Sequence, residues 1–225
     1  PGRYIQKFCY GAGKSKIMET LNLYLCDDVQ TVSSREYFQM LACVPKERCD
    51  KAKRFLKKND CILSMAAYLL LRYALRKDYH IADIPQFSYG AYGKPYFQEM
   101  PDLHFNISHT DGAVMCGICK KSEVGVDVQR YTKINDISYD IFLTDKEQWE
   151  VKKRGNQNSD LIRLWALKEA YLKCTGVGLH AGINKINFSD WLCKNVFQAG
   201  KEYFRSGECQ GVIWASCGYQ KSKVH

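Results

Sequence analysis

The sequence lacks the features that define several classes of protein. Its longest apolar run, at residues 66–71, is far too short to cross a bilayer, which excludes a transmembrane helix there. Its eleven cysteines show no spacing typical of a disulfide framework. We recognise neither a cleavable signal peptide nor a low-complexity linker. These absences favour a cytoplasmic protein with free thiols.

Two motifs that often bind ligands are incomplete in this chain. Residues 11–15 (Gly-Ala-Gly-Lys-Ser) resemble the end of a P-loop, but Phe8 stands where that loop requires a glycine. Cys116 and Cys119 have the spacing of a redox or zinc pair, yet they lie in a predicted strand, where residues i and i+3 face opposite ways. No second such pair completes a zinc site. We therefore predict no P-loop and assign both cysteines to the core.

What the chain does contain is a large hydrophobic fraction and an excess of positive charge. Hydrophobic residues make up 46% of 225 residues, enough for one large domain or two small ones. Lysine and arginine total 33 against 24 acidic residues, which gives a net charge of +9. This excess favours an anionic partner such as a nucleotide, a nucleic acid, an acidic protein or an anionic lipid. Ordinary solubilising charge explains it equally well.

Apolar periodicity predicts an α+β protein with two comparable halves. In the first half, a long helix carries a basic beginning at residues 46–58 into a buried middle, and strands are predicted at 87–89, 96–97, 103–107 and 113–119. In the second, a strand is predicted at 124–128, helices at 147–153 and 161–174, and closing strands at 186–188, 196–199 and 212–215. We expect the halves to be residues 18–120 and 121–225, tightly packed, after a flexible leader or expression remnant at residues 1–17.

Two polar pairs, distant in the sequence, have the residue types of a divalent-cation site. In Val-Gly-Val-Asp-Val-Gln, strand alternation places Asp127 and Gln129 on one face. Helical spacing places Glu169 and Lys173 on one face at i,i+4. Two carboxylates and an amide oxygen suit magnesium, and the lysine can meet an anion that the metal also binds. The alternatives are a surface acid at Asp127 and a simple helix ion pair of Glu169 with Lys173.

Two further motifs supply groups suited to phosphate. Ser108 and His109 end a predicted strand and offer hydrogen-bond donors. In Tyr-Gly-Lys-Pro, Gly93 permits a close backbone approach and Lys94 offers a point charge. Each motif alone is common in structural turns, so their order along the chain carries the information.

Taken in order, the four motifs resemble the 4′-phosphopantetheinyl transferases. They are Tyr-Gly-Lys-Pro at 92–95, Phe-Asn-Ile-Ser-His at 105–109, Val-Gly-Val-Asp at 124–127 and Trp-x-x-Lys-Glu-x-x-x-Lys at 165–173. The set is most similar to the surfactin-synthetase-activating type, in which one chain forms a pseudo-dimer with the active site between its halves. The resemblance extends over about residues 21–188 and includes Lys-Arg-Phe at 53–55.

The resemblance implies a definite reaction. Coenzyme A binds between the halves with Mg²⁺ on its diphosphate, and a serine of an acyl or peptidyl carrier protein attacks the phosphorus that bears the pantetheine arm. The arm moves to the serine, and adenosine 3′,5′-bisphosphate leaves. The resemblance implies that Asp127, Gln129 and Glu169 hold the metal. Because Gln129 stands where a glutamate is usual, we expect weaker magnesium binding.

The resemblance also implies roles for further residues. Coenzyme A contacts are expected at Arg48, Lys51, Ser64, Lys94, Ser108, His109 and Lys173. Glu169 is the expected general base, with Glu147 as the second candidate, and Lys173 meets the leaving phosphate. The expected docking surface for the carrier protein includes Tyr131, Ile134 and Ile137. We expect a monomer of secondary metabolism that binds no nucleic acid or membrane.

Two other functions remain open from the sequence. A basic nucleic-acid-binding module would combine the cations with some of the 15 tyrosines as stacking platforms, although no nucleic-acid motif is recognisable. A homologue that binds coenzyme A without turnover is the other alternative, and Gln129 is the residue that suggests it.

Overall fold

The structure, a computed structural model, describes residues 5–10, 20–29, 32–131, 141–155, 158–178 and 182–219. Within these residues the chain forms two four-stranded antiparallel sheets, one in each half, and a two-stranded ribbon. Helices pack on both sheets. The prediction of an α+β fold with two sheet-containing halves is confirmed. None of the described helices combines the length and apolarity needed to span a membrane.

The N-terminal half is a sheet covered by a long helix. Its elements are β1 (Ile5–Tyr10), β2 (Leu21–Cys26), α1 (Ser34–Cys43), α2 (Lys46–Ala52), α3 (Lys58–Tyr79), β3 (Phe87–Tyr89), β4 (Pro95–Phe97), β5 (Leu103–Thr110) and β6 (Ala113–Lys120). The sheet has the strand order β1-β2-β6-β5, and β3 pairs with β4 in the ribbon. Helix α3 buries Leu63 and Leu71 against Phe105 of β5 and its neighbours.

The C-terminal half is also a four-stranded sheet with a helix packed on it. Its elements are β7 (Val124–Arg130), α4 (Asp145–Lys153), α5 (Asn158–Thr175), two 3-10 turns (Ile183–Lys185 and Ser189–Trp191), β8 (Val196–Ala199), β9 (Glu202–Cys209) and β10 (Val212–Tyr219). The sheet has the order β7-β10-β9-β8. Helix α5 packs along β7 and β10. Helix α4 begins with a capping box in which Thr144 and Glu147 satisfy each other's backbone N–H groups.

Strand β5 joins the halves through three side chains at alternate positions. The side-chain Oδ1 of Asn106 accepts a hydrogen bond from the Val126 backbone N–H at 2.9 Å, and Thr110 Oγ1 accepts one from the Arg130 backbone N–H at 3.2 Å. Ser108, between them, donates to Asp127. Residues i, i+2 and i+4 of a strand share a face, so one face of β5 holds β7 along its length. This contact sets the position of Asp127 relative to the first half.

Three of the predicted elements are corrected by the structure. Residues 5–10 form β1 and pair with β2, whereas we expected a leader without structure over residues 1–17; the rest of that leader lies outside the described residues. The basic segment at 46–58 is not the beginning of one helix, because α2 ends at Ala52 and α3 begins at Lys58. Residues 186–188 form no strand, and β9 was missed.

Candidate active site

The Asp127 carboxylate is the centre of a polar cluster where β5, β7 and α5 meet. Its side chain is 2% exposed. Its Oδ1 accepts hydrogen bonds from Lys173 Nζ at 2.5 Å and Ser108 Oγ at 2.8 Å, and its Oδ2 accepts one from Gln129 Nε2 at 2.7 Å. A buried carboxylate is costly unless it is paired and hydrogen-bonded, and these three donors satisfy that need.

Glu169 lies on the other side of the same lysine. Its Oε2 is 3.7 Å from Lys173 Nζ, so one ammonium group lies near both carboxylates. Burial raises the pKa of Glu169; the nearby Lys173 opposes this shift and the negative charge of Asp127 adds to it. The structure therefore brings together Asp127, Glu169, Lys173, Gln129 and Ser108, although 42 residues separate the two acids.

Gly125 explains how the strand and the helix come so close. A Cβ at this position would lie 2.0 Å from the Ala170 carbonyl oxygen and 2.4 Å from the Cys174 backbone nitrogen. Any side chain would therefore collide with the backbone of α5. Since Asp127 is two residues from Gly125, the glycine allows its carboxylate to reach the helix that carries Glu169 and Lys173.

The oxygen ligands offered by Asp127, Glu169 and Gln129 are of the kind that Mg²⁺ binds. Asp127 and Glu169 provide two carboxylates, and Gln129 provides an uncharged amide whose nitrogen donates to Asp127. Among the described residues, no group of three or more His, Cys, Asp or Glu side chains could hold a metal ion. Mg²⁺ does not require such a group, because it usually binds one or two carboxylates together with waters and substrate phosphates.

A cleft of about 350 Å³ opens beside this cluster, between the halves. The first half contributes the loop at 92–95 and Asn106, and the second contributes Glu169, Lys173 and the glycines that follow α5. Concave sites with a few convergent polar groups are the usual position for small-molecule ligands.

Comparison with known proteins identifies the family. A model of the 4′-phosphopantetheinyl transferase superfamily matches residues 123–211, and a model of the 4′-phosphopantetheinyl transferase N-terminal region matches residues 31–120. A 4′-phosphopantetheinyl transferase of Bacillus subtilis is 33% identical over 152 residues, which cover 66% of this chain and 67% of that protein. The chain belongs to the 4′-phosphopantetheinyl transferase family.

Two further relatives support this assignment. The 4′-phosphopantetheinyl transferase gsp of Aneurinibacillus migulanus is 33% identical over 171 residues, covering 73% of this chain and 68% of that protein. The 4′-phosphopantetheinyl transferase Sfp of Bacillus subtilis strain 168 is 30% identical over 152 residues, which cover 66% of this chain and 67% of that protein. The resemblance to the 4′-phosphopantetheinyl transferases that the four motifs indicated is confirmed.

In this member of the 4′-phosphopantetheinyl transferase family, the Lys94 ammonium group binds other groups of the protein. Its Nζ lies 2.5 Å from Glu123 Oε2 and donates to the Cys174 carbonyl oxygen at 2.8 Å. His104 Nδ1 is 3.1 Å from the other oxygen of Glu123. Burial alone would raise the pKa of Glu123, but hydrogen bonds from His104 and Lys94 outweigh it and lower the pKa to about 2. Lys94 thus ties the loop at 92–95 to the end of α5.

His109 connects the site to the basic loop between α2 and α3. Its ring meets Phe55 edge to face, with ring centroids 6.1 Å apart. Burial lowers the pKa of His109, and the positive charge of Lys173 lowers it further, while Asp60 and Asp127 oppose the shift. The imidazole is therefore favoured in its neutral form, which can donate from one nitrogen and accept at the other.

Three predicted coenzyme A contacts lie in the α2–α3 region. The Arg48 guanidinium lies over the rings of Tyr68 and Phe87 at 5.4 and 5.3 Å, and its Nε is buried without a hydrogen-bond partner among the described residues. Lys51 Nζ is 4.8 Å from the centre of the Tyr89 ring, and Ser64 is buried in α3. No hydrogen bond or ion pair found among the described residues joins these three to Asp127 or Glu169.

Glu147 is not brought to the site. Its side chain is fully buried, and its Oε2 accepts hydrogen bonds from Lys168 Nζ at 2.6 Å and the Thr144 backbone at 2.9 Å. Its Oε1 accepts one from the Phe188 backbone at 2.8 Å. A carboxylate enclosed in this way has no exposed oxygen for an incoming serine, so its geometry speaks against the base role considered from the sequence.

The structure describes only one of the three residues predicted to form the docking surface. Tyr131 is half exposed, as a docking residue needs to be, whereas Ile134 and Ile137 lie outside the described residues. Three residues have contacts that no sequence pattern assigned to them: Asn106, Glu123 and Lys168. For Lys168 a signal was present, because adjacent residues point to different sides of a helix, which indicates that Lys168 and Glu169 have different surroundings.

Proposed function

We propose that this chain transfers the 4′-phosphopantetheine arm of coenzyme A to a serine of an acyl or peptidyl carrier protein. Adenosine 3′,5′-bisphosphate is the second product. The observation that carries the proposal is the meeting of Asp127, Glu169 and Lys173 beside a cleft that both halves line. The matched relatives are named 4′-phosphopantetheinyl transferases, which supports the transfer of this arm.

Charge neutralisation is the main demand of phosphoryl transfer, and the cluster has groups for it. Asp127 and Glu169 would hold Mg²⁺, with Gln129 beside them, and a bound magnesium ion neutralises negative charge on the diphosphate oxygens. Lys173 lines the cleft and has a rotatable ammonium group, which suits it to donate to the phosphate that leaves.

The serine proton goes to Glu169 in this proposal. Its side chain lines the cleft, where an incoming serine hydroxyl can reach it. Because the Glu147 oxygens are enclosed by Lys168 and backbone N–H groups, Glu169 is preferred over it.

Coenzyme A contacts are proposed on both sides of the cleft. Ser108 and neutral His109 offer hydrogen bonds to phosphate oxygens, and the cations Arg48 and Lys51 add charge on the side of α2. Ser64 of α3 is the remaining proposed contact. Lys94 contributes to the cleft wall while it holds the loop at 92–95 in place. We further propose a pseudo-dimer with its boundary near residue 120, a cytoplasmic location and a carrier protein of secondary metabolism, whose acidic surface would match the net charge of +9.

A mass-spectrometric assay tests the proposal. The purified chain is incubated with coenzyme A and an apo carrier protein, with magnesium chloride or with EDTA. We expect the carrier protein to gain one phosphopantetheine arm only with coenzyme A and magnesium, and not when its acceptor serine is replaced by alanine.

Matched variants of two glutamates complete the assay. Glu169→Gln should abolish the gain in mass, whereas Glu150→Gln on the outer part of α4 should retain it. Binding of coenzyme A without any gain in mass across several apo carriers would instead identify a homologue without turnover. Oligonucleotide binding that weakens steeply with salt, without coenzyme A binding, would favour a nucleic-acid module.

A further inference from the structure

A fully buried ion pair lies next to the site but has no part in the transfer step. Lys168 Nζ is 2.6 Å from Glu147 Oε2, and both side chains are 0% exposed. Burial lowers the pKa of Lys168, and the Glu147 carboxylate opposes that shift. Removing two charges from water is costly, so such a pair is retained where it fixes a geometry or is compensated by further bonds.

The pair binds backbone on both sides of α5. Lys168 Nζ also donates to the carbonyl oxygens of Phe142, at 2.5 Å, and Ile183, at 3.3 Å. Glu147 accepts hydrogen bonds from the backbones of Thr144 and Phe188. The chain just before α4 and the chain after α5 are therefore both fixed to one point on α5.

Helical spacing connects this point to the site. Lys168 and Trp165 both contact Phe142: Lys168 Nζ donates to its carbonyl oxygen, and the Trp165 ring is perpendicular to its ring at 5.3 Å. Glu169 and Lys173 lie one turn apart on the face that meets Asp127, whereas Lys168, adjacent to Glu169, points to a different side of the helix. Lys168 therefore anchors α5 on one side while Glu169 contributes to the chemistry on another.

We propose that Lys168 and Glu147 form a positioning pair, which fixes the rotation of α5 about its axis and so holds Glu169 and Lys173 at their distances from Asp127. The pair contacts neither substrate and takes no proton. This inference rests on the proposed function for its kinetic test. It differs from a role of Glu147 as general base and from a contribution to stability alone.

The experiment compares four variants of the full chain with the wild type. They are E147Q, K168M, the double variant E147Q/K168M and a control, E150Q/K152M, which changes the same residue types on the outer part of α4. Two quantities are measured at a temperature where circular dichroism shows each variant to be folded. They are the Kd of coenzyme A by calorimetry without carrier protein, and kcat/KM for transfer across pH.

A positioning pair predicts a joint effect that is not additive. Each single variant should lose about tenfold or more in both coenzyme A affinity and kcat/KM, because misplacing the helix disturbs binding and chemistry together. The double variant should be no weaker than the worse single variant, since each single change already removes the same anchor. A decline of rate at acid pH in the wild type should remain in every variant, and the control should match the wild type.

Two results would overturn the inference. A lower kcat in E147Q with unchanged coenzyme A affinity and loss of the acid decline would make Glu147 the base. Wild-type coenzyme A affinity and kcat/KM in both folded single variants would show that the pair contributes only to stability. If a single variant does not fold, E147D replaces it, because aspartate keeps both charges of the pair but has a shorter side chain. Weaker coenzyme A affinity of E147D with the acid decline retained supports the inference. An E147D variant with a lower kcat, unchanged coenzyme A affinity and no acid decline overturns it. If the wild type binds coenzyme A without transfer, the proposed function fails while the affinity comparison still tests the pair.

Discussion

Replacing Gly125 with alanine should reduce transfer by moving helix α5 away from strand β7. The added Cβ would lie 2.0 Å from the Ala170 carbonyl oxygen and 2.4 Å from the Cys174 nitrogen, whereas ordinary contact begins at 3.4 Å. Both atoms belong to the helix backbone, which cannot turn aside as a side chain can. The helix must therefore move by about 1.4 Å relative to the strand.

This displacement sets the size of the expected effect. Overpacking of this kind costs about 1–3 kcal/mol of the free energy of unfolding. For a chain of this length, each kcal/mol lowers the melting temperature by about 2–4 °C. A misplacement of about 1 Å at a reacting centre can lower a rate ~100-fold, and Asp127 and Lys173 lie on the two elements that separate. We expect transfer to fall further than the loss of stability explains.

The assay measures kcat/KM for transfer well below the melting temperature of each variant. Gly117→Ala is the matched control, because its Cβ would meet side-chain carbons of Val126, Val124 and Leu23, the nearest at 2.6 Å, and no backbone atom is among them. It should melt earlier than the wild type yet keep most of its transfer rate. Equal rates for Gly125→Ala and the wild type, with both folded, would refute the idea that this close approach positions the site.

Three further predictions concern single acids and the amide. Without metal, Glu169→Gln should melt no earlier than the wild type at pH 7, although it loses transfer. The reason is that folding raises the pKa of Glu169, so the ionised carboxylate destabilises the folded state at this pH. Calorimetry in EDTA measures the melting temperatures, and a clearly lower value for the variant would contradict the prediction. Gln129→Glu should lower the magnesium concentration for half-maximal activity roughly tenfold, the effect of about 1.4 kcal/mol, whereas equal half-saturation would count against Gln129 as a weak ligand. Glu123→Gln should melt earlier than the wild type at pH 7, because the lowered pKa of Glu123 stabilises the fold above pH 4.5, its ordinary pKa. That stability is lost as the pH falls towards about 2, so the difference in melting temperature between variant and wild type should shrink there. A difference that does not change with pH would exclude the ion pair as its cause.

Local periodicity was sufficient to predict the faces that carry the site. Strand alternation placed Asp127 and Gln129 together, and helical spacing did the same for Glu169 and Lys173; the structure then joins the two pairs through one ammonium group. Each prediction depended on residues a few positions apart, where backbone geometry fixes the side-chain direction.

Roles that depend on distant neighbours could not be read in this way. The carboxyl of Glu147 is enclosed because Lys168 and Phe188 lie against it, 21 and 41 residues further along the chain. The engagement of Lys94 with Cys174 spans 80 residues. Strand β1 looked unstructured because Gln6 and Lys7 interrupt its apolar residues, which form no continuous or alternating run, and its pairing with β2 holds it in the sheet. Tertiary contacts decided each of these cases.

A double-mutant cycle of Asp127→Asn and Glu169→Gln tests the central claim most directly. Because one ammonium group lies near both carboxylates, we expect them to serve a single site, and residues that act as a unit are not additive. Each variant should lower kcat/KM for transfer to the carrier protein by ~100-fold or more, and the double variant should be no slower than the worse single variant. Losses that multiply in the double variant, or a wild-type rate in either single variant, would contradict the account.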